Sequence, residues 1–142
     1  TGKQIKTFDL ATNADPYAAL SESATGVTRS GRTVHVKMTS IRSHFMPDNI
    51  EGIQVGDSVY FHVTNLEQDW DVPHGFAVIG NRNSELLVMP GQTRTLTWVP
   101  ERVGVHPFYC TDFCSALHQE MQGYIRVSPK GSAPAIAYNA SK

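Results

Sequence analysis

Cysteine is scarce in this sequence: there are two in 142 residues, Cys110 and Cys114, four positions apart. That number rules out a disulfide framework, and one bridge across so short a loop would constrain a chain of this size very little. The pair is therefore read as chemistry. An excess of charge of either sign is missing too. Twelve Lys and Arg against thirteen Asp and Glu leave a net charge of −1, which argues against a protein that grips nucleic acid through a basic surface. No apolar run approaches the ~18–20 residues that cross a bilayer. The opening Thr1-Gly2-Lys3-Gln4-Ile5-Lys6 lacks the charged-then-apolar form of a secretory leader. With Thr rather than Met first, the chain is expected to be a processed form or part of a longer one. Internal repeats, low-complexity blocks and long helical periodicities are absent as well.

What the sequence does have is short strands and turn residues. Alternating apolar and polar residues mark strands at 33–38 and 58–64, and short apolar runs mark 75–79 and 85–88. The Thr- and aromatic-rich segment 93–99 and the segments 104–109 and 123–128 complete the set. Gln54-Val55-Gly56-Asp57, Pro90-Gly91 and Pro100-Glu101 punctuate them. This pattern predicts one all-β sandwich, at a length that suits a single domain. Residues 1–31 read as a linker or arm, with a helical start at Asp15-Pro16 and a loop at 25–31. Residues 32–128 read as the folded domain and 129–142 as a tail.

Near the C-terminus, Cys110-Thr111-Asp112-Phe113-Cys114-Ser115-Ala116-Leu117-His118-Gln119-Glu120-Met121 spaces four metal donors as C-x3-C-x3-H-x2-M. Thiolate, imidazole and thioether together favour copper. Zinc rarely takes a thioether and usually prefers C-x2-C pairs. The predicted strands 104–109 and 123–128 bracket this run, so all four donors fall on one loop at one end of the sandwich. A loop held at both ends limits ligand movement on a change of metal charge, the condition for fast electron transfer. A mononuclear blue copper site needs one Cys, two His and a weak axial Met. The second thiolate here lets two coppers be bridged, each then needing one imidazole. His118 is one, and His74 is the best candidate for the other. It stands in Asp71-Val72-Pro73-His74-Gly75-Phe76 at the start of an apolar strand, with Pro73 stiffening the approach and Gly75 permitting close packing.

The segments 71–76 and 110–121, with Gly123, resemble the binuclear CuA domain of nitrous oxide reductases. The similarity runs over residues 34–127 and includes Met38-Thr39-Ser40, Gly56-Asp57 and Thr64-Asn65. It implies a cupredoxin-like Greek-key β-sandwich with two copper ions bridged by Cys110 and Cys114. One copper would take His74 and Met121, the other His118 and the backbone carbonyl of Asp112. It implies a periplasmic setting and, as electron donor, a cytochrome c or a small copper protein. The acceptor would be a tetranuclear copper–sulfide cluster on an N-terminal propeller domain that this sequence lacks, within a homodimer. The chain alone is then expected to transfer electrons without reducing N2O. Two other readings stand beside it: the CuA domain of a cytochrome c oxidase subunit II, and a copper-delivery protein.

Glu67, Asp69, Trp70 and Asp71 precede His74 closely. They read either as a solvated hairpin tip or as a docking patch, with acids steering a basic cytochrome and Trp70 as the point where electrons arrive. Of the other histidines, His35 and His62 fall on the polar face of alternating strands and are expected in solvent. His44 is expected in a loop, and His106 one strand before the ligand run.

Overall fold

The structure is a computed structural model that describes residues 18–19, 21, 24–41, 44–67, 73–79, 85–111, 122–131 and 135–139. Eleven strands are described: β1 (Gly26–Ser30), β2 (Thr33–Ile41), β3 (His44–Met46), β4 (Asn49–Gln54), β5 (Ser58–Asn65), β6 (His74–Val78), β7 (Leu86–Val88), β8 (Thr93–Trp98), β9 (Gly104–Tyr109), β10 (Gln122–Ser128) and β11 (Ala137–Tyr138). They form the expected two-sheet sandwich. One sheet runs β1-β2-β5-β8, with β3 on β2, and the other runs β11-β4-β10-β9-β6-β7. β2 and β5 are parallel neighbours, as are β4 and β10. Each parallel pair is therefore linked by chain that crosses to the opposite sheet.

Inward positions come from the period-2 alternation. Val34, Val36 and Met38 of β2 and Val59, Phe61 and Val63 of β5 are all fully buried. Facing them, Phe76 and Phe108 join Phe45 and Phe61 in an aromatic cluster. Phe45 meets Phe76 and Phe108 edge-on at ring-centroid distances of 5.6 and 5.7 Å, a favoured geometry for aromatic pairs.

The folded unit reaches beyond both expected boundaries. The segment expected as loop at 25–31 contains β1, paired with β2 from Gly26↔Lys37 to Ser30↔Thr33. An ion pair holds it: Arg29 donates from Nη1 to Asp57 Oδ1 at 3.1 Å and from Nη2 to Asp57 Oδ2 at 2.6 Å. Ala19 is also fully buried, its N–H donating to Thr64 Oγ1. At the other end, β11 pairs with β4 inside the expected tail. These attachments rest on partners remote in sequence, so local pattern could not announce them. His44 lies in β3, not in a loop. The helical start expected at Asp15-Pro16 lies outside the described residues.

Candidate metal centre

β6 begins at His74 and β9 ends at Tyr109, just before Cys110. The two strands are antiparallel neighbours, paired Ala77↔Tyr109 and Val78↔Phe108. His74 and Cys110 therefore leave adjacent strands at the same end of the same sheet, as their positions in the sequence predicted. Gly75 makes this close approach possible. A Cβ there would collide with the Thr111 hydroxyl and lie 3.1 Å from the Thr111 nitrogen. Gly123, at the return of the same hairpin, admits the Phe108 ring and the Asp48 carbonyl.

His74 is completely buried. Its Nε2–H donates to Glu67 Oε2 at 2.9 Å. That leaves Nδ1 as the lone-pair nitrogen, and among the described residues no hydrogen-bond partner satisfies it. A buried polar atom without a partner costs ~1–3 kcal/mol, and on a histidine at the sheet end that also leads to Cys110 it suits a metal donor. A carboxylate on the far nitrogen is the usual outer partner of a ligating histidine, fixing tautomer and ring orientation.

Glu67 is held in turn. Its backbone N–H donates to Asn65 Oδ1 at 2.8 Å, and Asn65 Nδ2 donates to the Val88 carbonyl at 2.9 Å. Val88 is the cross-strand partner of His74, so the chain of bonds closes on the strand pair that carries the histidine. Glu67 was expected on the surface with Asp69, Trp70 and Asp71. Only 7% exposed, it serves His74 from inside, because the turn after β5 folds its side chain inward. The other three lie outside the described residues. Nothing in the local sequence distinguishes Glu67 from its acidic neighbours, and Asn65 was visible only as part of a resemblance.

Cys110 is 2% exposed and disulfide-bonded. Asp112, Cys114, His118 and Met121 lie outside the described residues. Among the described residues, no three His, Cys, Asp or Glu side chains converge as a metal cage. His106 is turned to other work: its ring packs edge-on against Trp98 at 5.3 Å, and Nε2 donates to the Arg102 carbonyl at 2.8 Å. A buried imidazole with one bare nitrogen, and a buried cysteine just past the neighbouring strand once its disulfide is reduced to thiolate, are donor types that suit a soft-to-borderline metal such as copper.

No family model matches the chain. Among curated proteins, it is 35% identical over 137 residues to the nitrous-oxide reductase of Stutzerimonas stutzeri, covering 89% of this chain and 21% of that protein. It is 34% identical over 83 residues to cytochrome c oxidase subunit 2 of Thermus thermophilus, covering 58% of this chain and 57% of the relative. The chain thus spans about a fifth of the length of the reductase it matches. Among solved structures, a heme-copper terminal oxidase dimer superposes with a TM-score of 0.64 at 24% identity, covering 82% of this chain and 76% of that one. The periplasmic domain of subunit II of the cytochrome oxidase of Bradyrhizobium japonicum superposes with a TM-score of 0.56 at 18% identity, covering 74% and 89%. These structural likenesses carry the fold. Among the described residues, no helix is long and apolar enough to cross a membrane.

Proposed function

This chain is a cupredoxin-fold domain homologous to part of the nitrous-oxide reductases, and on that footing we propose that it is an electron-transfer domain built to hold a binuclear CuA centre. Cys110 and Cys114 would bridge two copper ions, His74 and Met121 completing one and His118 with the Asp112 carbonyl the other. When bound, the copper pair supplies one-electron redox chemistry with the charge change spread over two metals. The single observation that carries this reading is the buried, unpartnered Nδ1 of His74, with Glu67 on the opposite nitrogen.

The chain's own residues do the positioning. Glu67 keeps the proton on Nε2, which leaves Nδ1 with its lone pair for a metal. β6 and β9 bring His74 and Cys110 to the same sheet end. Burial of both side chains excludes water and holds them still, which lowers the reorganisation that accompanies electron exchange. Both cysteines must be reduced and deprotonated before they can bind metal, so loading releases protons and weakens in acid.

In this reading the domain works in the periplasm, accepting electrons from a cytochrome c or small copper protein. It delivers them to the tetranuclear copper–sulfide cluster of a propeller domain, on the partner subunit of a homodimer, where N2O is reduced to N2 and water. The isolated domain does not reduce N2O. A second reading, the CuA domain of an oxidase subunit II, is favoured by the Thermus thermophilus match. Co-purification with haem–copper subunits separates it from the first. A copper-delivery role would show as transfer of the metal to an acceptor instead of redox cycling.

The test of the CuA site is spectroscopic. Reduced protein loaded with copper should be purple, hold about two copper ions per chain, and give the EPR pattern of one electron shared by two copper nuclei. A blue, single-copper spectrum overturns the reading.

A further inference from the structure

The outward face of β2 and β5 carries a pair of histidines that the metal end does not use. Parallel pairing sets His35 opposite Tyr60 and Lys37 opposite His62, making His35 and His62 diagonal neighbours. Nδ1 of His35 lies 2.8 Å from Nε2 of His62. The ring planes meet at 17° with centroids 5.1 Å apart, a separation that equals the N···N contact plus the two ring radii. The nitrogens therefore meet end on, nearly in one plane. The far nitrogen of His62, Nδ1, lies 2.9 Å from Thr95 Oγ1 on β8. His62 is 4% exposed, against the expectation of a solvated side chain. His35 is half-buried, with the Tyr60 ring against it at 5.1 Å.

One proton on the N···N axis serves both rings, and so would a suitable cation. The geometry selects which. Tetrahedral and square-planar ions such as Zn2+ and Cu2+ need lone pairs that converge at roughly 90–110°. End-on imidazoles offer a straight line, the arrangement of a two-coordinate d10 monocation. Anchoring of one ring through its second nitrogen is how proteins fix a ligating histidine. Charge points the same way. Lys37 is the charged side chain beside His62 on this face, and it opposes a dication twice as strongly as a monocation. The surrounding outward positions on the described strands include Thr28, Thr39, Thr64, Thr95 and Thr97, with no carboxylate among them to favour a dication.

We propose that His35 and His62 form a linear, two-coordinate site for a monovalent d10 ion of the copper group, Cu+ or Ag+, separate from the thiolate loop. Binding makes one metal–nitrogen bond from each ring. The proton between the rings moves to the outer nitrogen of whichever ring held it, so none is released and no electron moves. With metal–nitrogen bonds of ~2 Å the two nitrogens part by about 1 Å, a shift that the half-exposed side of His35 accommodates.

The test is a titration with Ag+ alone, followed by ring 15N NMR of each histidine, with Cys110 kept in its disulfide-bonded form so that thiolate does not compete. One equivalent should shift His35 Nδ1 and His62 Nε2 together, while the same concentration of Zn2+ leaves both where they were. H35Q and H35F, both at the half-buried ring, should abolish the shift at His62 and keep the core spectrum. Three results would overturn the site: unmoved resonances at stoichiometric Ag+, a His62 shift that persists in both variants, or Zn2+ displacing Ag+ from the pair. Because the cysteines are silent in this experiment, failure of copper loading at the thiolates leaves its outcome untouched.

Discussion

His74 owes its place in the proposed site to Glu67, whose inward role the sequence does not mark. Its imidazole has a buried donor nitrogen satisfied by Glu67 and a buried nitrogen left bare. Removing the carboxylate in E67A strands the Nε2–H without a partner, at about 1–3 kcal/mol, and frees the ring to turn. Copper affinity should fall by roughly 10–100-fold, the usual cost of losing an outer partner of a ligating histidine. E67Q keeps an acceptor oxygen at the same place and should retain most of the affinity. Competition titration against a copper chelator reads both. Equal affinity in E67A and wild type would mean that Glu67 does not orient the ring.

At the scale of elements, the site depends on two strands approaching without a side chain between them. G75A puts a Cβ into the Thr111 hydroxyl, so the start of the ligand loop must shift. The expected result is a stability loss of about 1–3 kcal/mol with the sandwich still folded, and less copper bound per chain by metal analysis. β1 supplies a second element-scale case. Burial pushes the Asp57 carboxyl up, but hydrogen bonds from Arg29 and the Gln54 N–H, with the positive charges of Arg29 and Arg32, outweigh it and hold the group below its ordinary value. A depressed carboxylate contributes stability above the ordinary pKa of ~3.9, and that contribution disappears as pH falls through the lower folded value. D57N should therefore be less stable than wild type at pH 7 by ~3 kcal/mol. The gap should close as the pH drops below about 4, as read by urea denaturation. Alternation marked β2 and β5, and short apolar or Thr- and aromatic-rich runs marked β6 to β10; both signals are local, which is why those strands were legible. β1 and β11 were not, because what recruits them is an ion pair and an edge pairing with residues far along the chain.

The described residues form a two-sheet sandwich in which His74 and Cys110 lie at one sheet end, and the proposed role requires an encounter with another protein. If Asp69, Trp70 and Asp71 form the docking patch, electron uptake from a basic cytochrome c should slow as ionic strength rises. W70A should slow it further while leaving the copper spectrum unchanged. Uptake that ignores salt and survives W70A would exclude the patch. Glu67, although part of the same acidic run, takes no share in this, because its carboxylate is spent on His74 inside the protein.

The sequence by itself determined the C-x3-C-x3-H-x2-M spacing from Cys110 to Met121 on which the proposed copper site rests, the apolar strand at His74, and the two-sheet architecture. Each of these depends on spacing over a few residues, and spacing is local information. Tertiary structure alone decided that Glu67 faces inward, that Gly75 seats Thr111, that β1 belongs to the sheet, and that His35 meets His62 end on. Those facts follow from contacts between segments distant in the chain; for the histidine pair the register of β2 on β5 decides it, and a one-residue slip would part the two rings.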